Sequence, residues 1–170
     1  DFQVATNSEP AWTAFAYPEK ALRADGLRAS SAIPDGGTTP YLIVYDGVGA
    51  TKVPDSHRVV AIRYYVRGRY GAPSAPAMTM RIVGACVYNN WQIHEASNAA
   101  ATPVLLTGMD ATYTLSAATC LSLTGAEIKE GDFGGAFRFD NRTGDAEVCQ
   151  VEIDAIWCEV DTEPTDADGD

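Results

Sequence analysis

The chain has 170 residues, 46% hydrophobic and 21% charged, with 15 glycines and 9 prolines. That length suits one domain able to bury a core of its own, and no apolar run approaches the roughly 20 residues needed to cross a bilayer as a helix. A net charge of −11, from 23 acidic against 12 basic residues, argues against a direct nucleic-acid partner, whose phosphates are held by lysine and arginine.

In chain order, residues 1–11 read as an N-terminal arm, and Asp1 stands where an initiator Met would, with no secretory signal pattern behind it. Tyr17–Ala24 has Pro18 near its start and Gly26 just past its end, the punctuation of a short helical turn. Tyr41–Tyr45 is a short strand. In Arg58–Arg69, Val60, Ile62, Tyr64 and Val66 alternate with Arg63, Tyr65, Arg67 and Arg69. A helix would scatter those arginines, whereas a half-buried strand places them on one side. Ala77–Tyr88, Gln92–Glu95, Val104–Leu106 and Thr112–Ser116 continue the series. Thr124–Gly131 offers a second helical turn, with Glu127 three residues after a Thr124 cap. Phe133–Phe139 sets Phe133, Gly135, Phe137 and Phe139 against Gly134, Ala136 and Arg138. Finally, Glu147–Val160 places Cys149, Val151, Ile153, Ala155 and Trp157 on one face and Gln150, Glu152 and Asp154 on the other. Past Ala155 the second face turns apolar at Ile156, Cys158 and Val160, so that end is expected to be covered on both sides.

Turn-forming residues separate these runs: Pro34–Gly37, Asp46-Gly47, Val53–Asp55, Gly71–Pro76, Asn89-Asn90 and Asn141–Gly144. About eight short strands so punctuated predict an all-β, antiparallel sandwich with one or two short helical turns and extended termini. Residues 12–161 would form the sandwich and 162–170 an acidic tail. Six carboxylates lie between Glu159 and Asp170, and without them the charge is about −5.

Candidate chemistry is sparse. His57 and His94 belong to no His-Glu-x-x-His motif, and no Gly-x-Ser-x-Gly anchors a nucleophile; both histidines read as surface or rim residues. Glu152 with Asp154, and Asp132 with Asp140, are the carboxylate pairs that a glycosidase would need. A solvated polar face explains them as well, with Arg63, Arg67 and Arg69 as ion-pair partners on a neighbouring strand or subunit. Asp166–Asp170 looks like part of a calcium loop but lacks its spacing and closing glutamate. No catalytic, cofactor-binding or metal-binding residue is therefore assigned, no cofactor is expected, and the chain reads as non-enzymatic. Asn141-Arg-Thr143 is a glycosylation sequon in a turn.

Cys86, Cys120, Cys149 and Cys158 match no Cys-x-x-Cys motif. Cys149 and Cys158 stand nine residues apart in one extended strand, roughly 30 Å, too far to pair. Two bridges would then be Cys86–Cys149 with Cys120–Cys158, or Cys86–Cys158 with Cys120–Cys149; buried free thiols are the other reading.

Three stretches carry a family resemblance. Trp12–Ser30 holds a tryptophan, a proline-led helical turn and Asp25-Gly26 before a strand; Val53–Val66 has a proline-led strand entry; Asp132–Val160 has an Asp-Phe-Gly-Gly hairpin closing on an alternating strand. In this order they resemble the jelly-roll-like β-sandwich domains of tailed-bacteriophage virion proteins, of the head decoration, fibre or tail-associated kind. The match departs at Glu19, where those domains usually have asparagine. The resemblance implies a structural protein of a bacteriophage particle, located in the virion, oligomeric, and in contact with capsid or tail proteins. Its terminal arms, Asp1–Pro10 and Thr162–Asp170, would reach onto neighbours. The alternative is an extracellular carbohydrate-binding module that stacks a surface glycan on Trp91, Tyr88, Tyr65 or Tyr70. Such a module leaves at least two of these rings coplanar on the surface; a particle subunit buries them or uses them at subunit contacts.

Overall fold

The computed structural model describes residues 4–7, 14–45, 53–71, 80–94, 104–105, 109–116, 123–141 and 148–165. Within them run ten strands: β1 (Val4–Asn7), β2 (Ala29–Ile33), β3 (Leu42–Tyr45), β4 (His57–Gly71), β5 (Met80–Tyr88), β6 (Gln92–His94), β7 (Val104–Leu105), β8 (Ala111–Ser116), β9 (Gly134–Asn141) and β10 (Cys149–Pro164). One sheet has the order β1-β3-β9-β5-β6, with β7 also pairing with β5, and the other has the order β2-β10-β4-β8. The pairings are antiparallel. At nearly every step the chain crosses from one sheet to the other, so the all-β sandwich is wound in jelly-roll fashion.

All eight expected strands are present. The two further ones, β1 and β2, carry little propensity signal. Ala29-Ser-Ser-Ala-Ile33 has a single β-branched residue, and its alternating burial arises from pairing with β10, Ser31 opposite Val151 and Ile33 opposite Cys149. β1 lies within the segment read as an arm and pairs with β3. Thr162–Pro164, within the segment read as the tail, completes β10 against Val59, Arg58 and His57. Asp166–Asp170 lies outside the described residues, as do Trp12, residues 72–76 and the sequon threonine.

The core between the sheets is built from Leu42, Val44, Phe137 and Phe139 on one side and Tyr64, Val66, Val151 and Ile153 on the other, all essentially without exposed surface. Gly135 faces this core; a Cβ there would lie 2.8 Å from the rings of both Tyr64 and Phe137. The Tyr64 hydroxyl donates to the Gly134 carbonyl at 2.6 Å, and its burial pushes the phenol well above the usual tyrosine range.

Two bulges correct the strand faces. In β10 the register shifts between Ile153 and Ala155, leaving Asp154 as the extra residue. Cys149, Val151 and Ile153 face the core as expected, but beyond the bulge the alternation inverts. Ile156, Cys158 and Val160 turn inward, while Trp157 sits opposite Tyr65 on the outer face. The apolar second face of this strand is thus the same core-facing side continued through a bulge. In β4 the shift between Asp161 and Thr162 of its partner leaves Val60 over. Val59 is buried at 2% exposure and Val60 is 40% exposed, the reverse of the strict alternation.

The two helical turns are shorter than the sequence stretches suggest. Pro18–Ala21 is a 3-10 turn that packs Ala21 beneath the chain, and Leu22 bridges to Ala155 of β10. Helix α1 (Gly125–Ile128) has the capping box: Thr124 Oγ1 accepts from the Glu127 amide at 3.2 Å, and Glu127 Oε2 accepts from the Thr124 amide at 2.7 Å. Cys86 is disulfide-bonded, whereas Cys149 and Cys158 are free thiols. Neither two-bridge arrangement is present. Cys149 opposes Ile33 and Cys158 opposes Tyr64 within one sheet, where each fills an apolar position.

Candidate functional site

The outer face of the six-stranded sheet is not the polar surface that simple alternation predicts. Across it, Ile43, Ala136 and Ala85 share one register row, and Tyr45, Gly134, Val87 and Ile93 share the next. Ala85, Val87 and Ala136 form a small apolar cluster with Tyr41, Ile43 and Ile93 packed against it. The row through Gly134 is possible because position 134 has no side chain. A Cβ there would lie 1.9 Å from the Val44 carbonyl oxygen and 2.6 Å from the Tyr45 Cα.

At one end of this face the β5–β6 hairpin turns through Asn89, Asn90 and Trp91. All three have left-handed backbones, with φ of 53°, 65° and 66°. Asparagine tolerates that region and suits a tight hairpin. Tryptophan does not, and position 91 is where glycine would ordinarily stand. Trp91 is nevertheless 48% exposed. Its ring meets that of Tyr45 edge-on, centroids 4.5 Å apart and planes at 88°. The hairpin is pinned from below, since the Asn90 amide donates to Asp132 Oδ2 at 2.5 Å. Asp132 belongs to the turn between α1 and β9, closed by the Phe133 amide donating to the Glu130 carbonyl.

The other aromatics named from sequence lie elsewhere. Tyr65 stacks on Trp157 across the outer face of the four-stranded sheet, centroids 5.3 Å apart and planes 16° from parallel. Tyr88 stacks on His94 at 3.8 Å. Tyr70 packs against the main core, so the four rings named from sequence are dispersed and do not form the coplanar surface pair expected of a glycan-stacking module. Sequence reasoning does not single out Tyr45 or Trp157. Tyr45 ends a strand whose alternation could have placed it outward, whereas Trp157 is hidden by the bulge.

The charged candidates are drawn into ion pairs, as the arginine-bearing face of β4 leads one to expect. Arg69 Nε meets Glu152 at 2.6 Å and Arg67 Nε meets Asp154 at 3.4 Å. Arg63 reaches Asp161 at 2.8 Å and Glu159 at 3.3 Å. The hydrogen bond from Arg63 holds the Asp161 carboxyl below its usual range and raises the guanidinium in turn. Arg28 grips Asp110 with two bonds of 2.6 Å, which likewise depresses the Asp110 carboxyl. Asp140 accepts from Thr38 Oγ1 at 2.6 Å. Asp132 and Asp140 flank β9 at opposite ends, roughly 26 Å of extended chain apart, so they do not converge as paired carboxylates. His57 Nδ1 lies 3.0 Å from Thr162 Oγ1, and His94 is in the Tyr88 stack. Among the described residues no group of three His, Cys, Asp or Glu side chains is gathered to hold a metal ion.

One solved structure is similar in outline. It is described as "CBM4 structure and function", with 14% identity, a TM-score of 0.46, and coverage of 93% of this chain and 94% of that one. No protein-family model and no curated protein matches the chain. What distinguishes the Trp91 corner is therefore the geometry of this chain's own residues: a large ring held half-exposed on a left-handed backbone, backed by a second ring and pinned by a carboxylate.

Proposed function

We propose that this chain is a carbohydrate-binding β-sandwich module whose principal contact is Trp91. Single exposed apolar side chains are ordinary on protein surfaces; Tyr17, Leu27 and Met109 are exposed here too. Tyr17 shares the left-handed backbone, with φ of 54°; Trp91 differs because that backbone is combined with an edge-on neighbouring ring, Tyr45, and with a hairpin held by Asp132. Local strain of this kind is retained where the surrounding structure fixes a residue for a task. An indole presented in this way offers a flat apolar face to the C–H side of a pyranose, with Tyr45 as a wall at right angles. The half-exposed Trp91 indole, walled edge-on by Tyr45 on a hairpin held by Asp132, is the observation that carries this reading.

The test is affinity electrophoresis of the full chain through gels containing hydroxyethylcellulose, arabinoxylan, galactomannan or polygalacturonate. At least one neutral polymer is expected to retard the chain, and Trp91→Ala should weaken that retardation at least tenfold. A chain that none of them retards sinks the reading.

The resemblance of the sequence to tailed-phage virion domains supports a second reading, a subunit of a bacteriophage particle. It predicts a defined oligomer by light scattering and association with particles, irrespective of Trp91. The two readings are compatible in one molecule, since a particle-surface subunit can carry a glycan site.

A further inference from the structure

The outer face of the four-stranded sheet carries its charge in two columns. β4 presents Arg58, Arg63, Arg67 and Arg69, and β10 beside it presents Glu152, Asp154, Glu159, Asp161 and Glu163, joined to them by ion pairs. Four arginines against five carboxylates leave this face close to neutral, although the whole chain carries −11. Nearly all of the acidic excess, which would repel a second copy, therefore lies elsewhere. Asp154 is buried beneath the Gly26 amide. Further along, the face is open, with Arg58, Glu159, Asp161 and Glu163 all about half-exposed. Apolar groups stand among them. Tyr65 and Trp157 stack on one another and are only partly buried, and the β4 bulge leaves Val60 exposed. The Tyr65 hydroxyl donates to Glu159 at 3.0 Å. Tyrosine, tryptophan and arginine ringed by exposed polar pairs is the composition of a protein interface.

We infer that this face is the contact between two copies of the chain, related by a two-fold axis that runs along the strands midway between β4 and β10. Rotation about that axis exchanges the two columns and keeps each residue at its level along the strands. The β4 arginines of each copy then lie over the β10 carboxylates of the other. Arg63 meets Glu159 and Asp161, and Arg58 meets Glu163, the pairings already made within one chain. The same operation sets Tyr65 over Trp157 twice, because the two are in register. A two-fold axis across the strands would instead lay β4 on β4 and set arginine against arginine. The sign pattern thus selects one isologous arrangement. A strongly acidic or basic partner would match one column and oppose the other, whereas a second copy matches both. The Trp91 site belongs to the other sheet and stays outward in such a pair, so the inference does not rest on the carbohydrate-binding reading.

Sedimentation equilibrium of the full chain at low and high salt provides the test. The unaltered chain is expected to dimerise at low salt and to dissociate as salt rises, because the charged pairs at the rim are open to solvent. Trp157→Ala should weaken dimerisation about tenfold or more. Two doubly substituted chains supply the decisive comparison. Arg58→Glu with Arg63→Glu makes this stretch of both columns acidic, and Glu159→Lys with Asp161→Lys makes the facing stretch basic. Each alone should be a monomer with the circular dichroism of the unaltered chain, and the two mixed should form a dimer. Misfolding cannot produce that recovery, and both chains keep a net negative charge, so the attraction must come from the faces. An unaltered chain that is monomeric at low salt overturns the inference, and so do two variants that ignore each other when mixed. If that monomer also loses its retardation by neutral polysaccharide on Trp157→Ala, the face is a glycan platform instead. A dimer that survives both double substitutions is held by another surface, and the inference falls equally.

Discussion

Asp154 accepts a hydrogen bond from the backbone amide of Gly26 at 3.0 Å, across 128 residues of sequence. The contact exists because Asp154 is the extra residue of the β10 bulge, which frees its side chain from the strand's alternation. Gly26 has φ of 80°, in a turn where Asp25 Oδ1 also accepts the Leu27 amide at 3.0 Å. The Asp25-Gly26 pair thus folds back on the outer side of β10 and delivers the chain into β2. Asp154 is 3% exposed, and its second oxygen faces Arg67.

Removing that acceptor should leave the Gly26 amide unsatisfied and Arg67 without its partner. Asp154→Ala is expected to lower stability by about 1–3 kcal/mol, and Asp154→Asn by less, since an amide oxygen can still accept. Urea denaturation measures both. Equal midpoints for Asp154→Ala and the unaltered chain would show that the bulge holds without its side chain.

The same bulge marks how far the sequence can be read. The faces of Phe133–Phe139 follow strict alternation, and Phe133, Phe137 and Phe139 are buried as that pattern requires. The capping box at Thr124 and Glu127 is directly legible, because it depends on residues three apart. In Glu147–Val160 the pattern is visible up to Ile153; from there a single inserted residue reverses the faces, and no local signal at Asp154 announces it. Strict alternation therefore places Trp157 in the core and conceals its stacking on Tyr65. β2 is invisible for a different reason: Ala29-Ser-Ser-Ala-Ile33 becomes a strand by pairing with a partner near the other end of the chain. At the candidate site, Trp91 and the Asn89-Asn90 turn are legible. The clamp from Asp132 is not, because it joins two loops that only the sandwich brings together.

Alkaline pH should destabilise the fold through Cys158 and Tyr64, which oppose one another across β10 and β4. Burial, with Glu159 adding to it, pushes the Cys158 thiol up from 9.0 to about 11. The folded chain keeps this proton at pH values where the unfolded chain has released it. Stability is therefore fully present below about pH 9 and is lost as pH rises towards 11. Each pH unit between the unfolded and folded values corresponds to about 1.4 kcal/mol, which makes the loss at most on the order of 3 kcal/mol. Tyr64 acts in the same direction from about pH 10 upward. Urea titrations at half-unit steps should show Cys158→Ala with a flatter stability curve between pH 9 and 11, whatever its cost at pH 8. Parallel curves for the two proteins would rule out this thiol as the source.

Trp91 offers the sharpest test of the site's geometry, because two substitutions remove the indole equally yet differ in backbone freedom. Trp91→Ala leaves a Cβ at a residue with φ of 66°, and Trp91→Gly does not. At an ordinary hairpin position glycine is the less stable choice, through its larger loss of chain entropy. At a left-handed position the order reverses, and Trp91→Gly should exceed Trp91→Ala by about 1 kcal/mol. Both should lose the retardation by neutral polysaccharide. If Trp91→Gly is also as stable as the unaltered chain, the indole contributes to binding while adding nothing net to the fold. Such a balance is what a residue kept for its exposed face would show, and a residue kept for packing against Tyr45 would not. If alanine is the more stable of the two, position 91 is not left-handed in solution, and the backbone strain argued for Trp91 disappears with it.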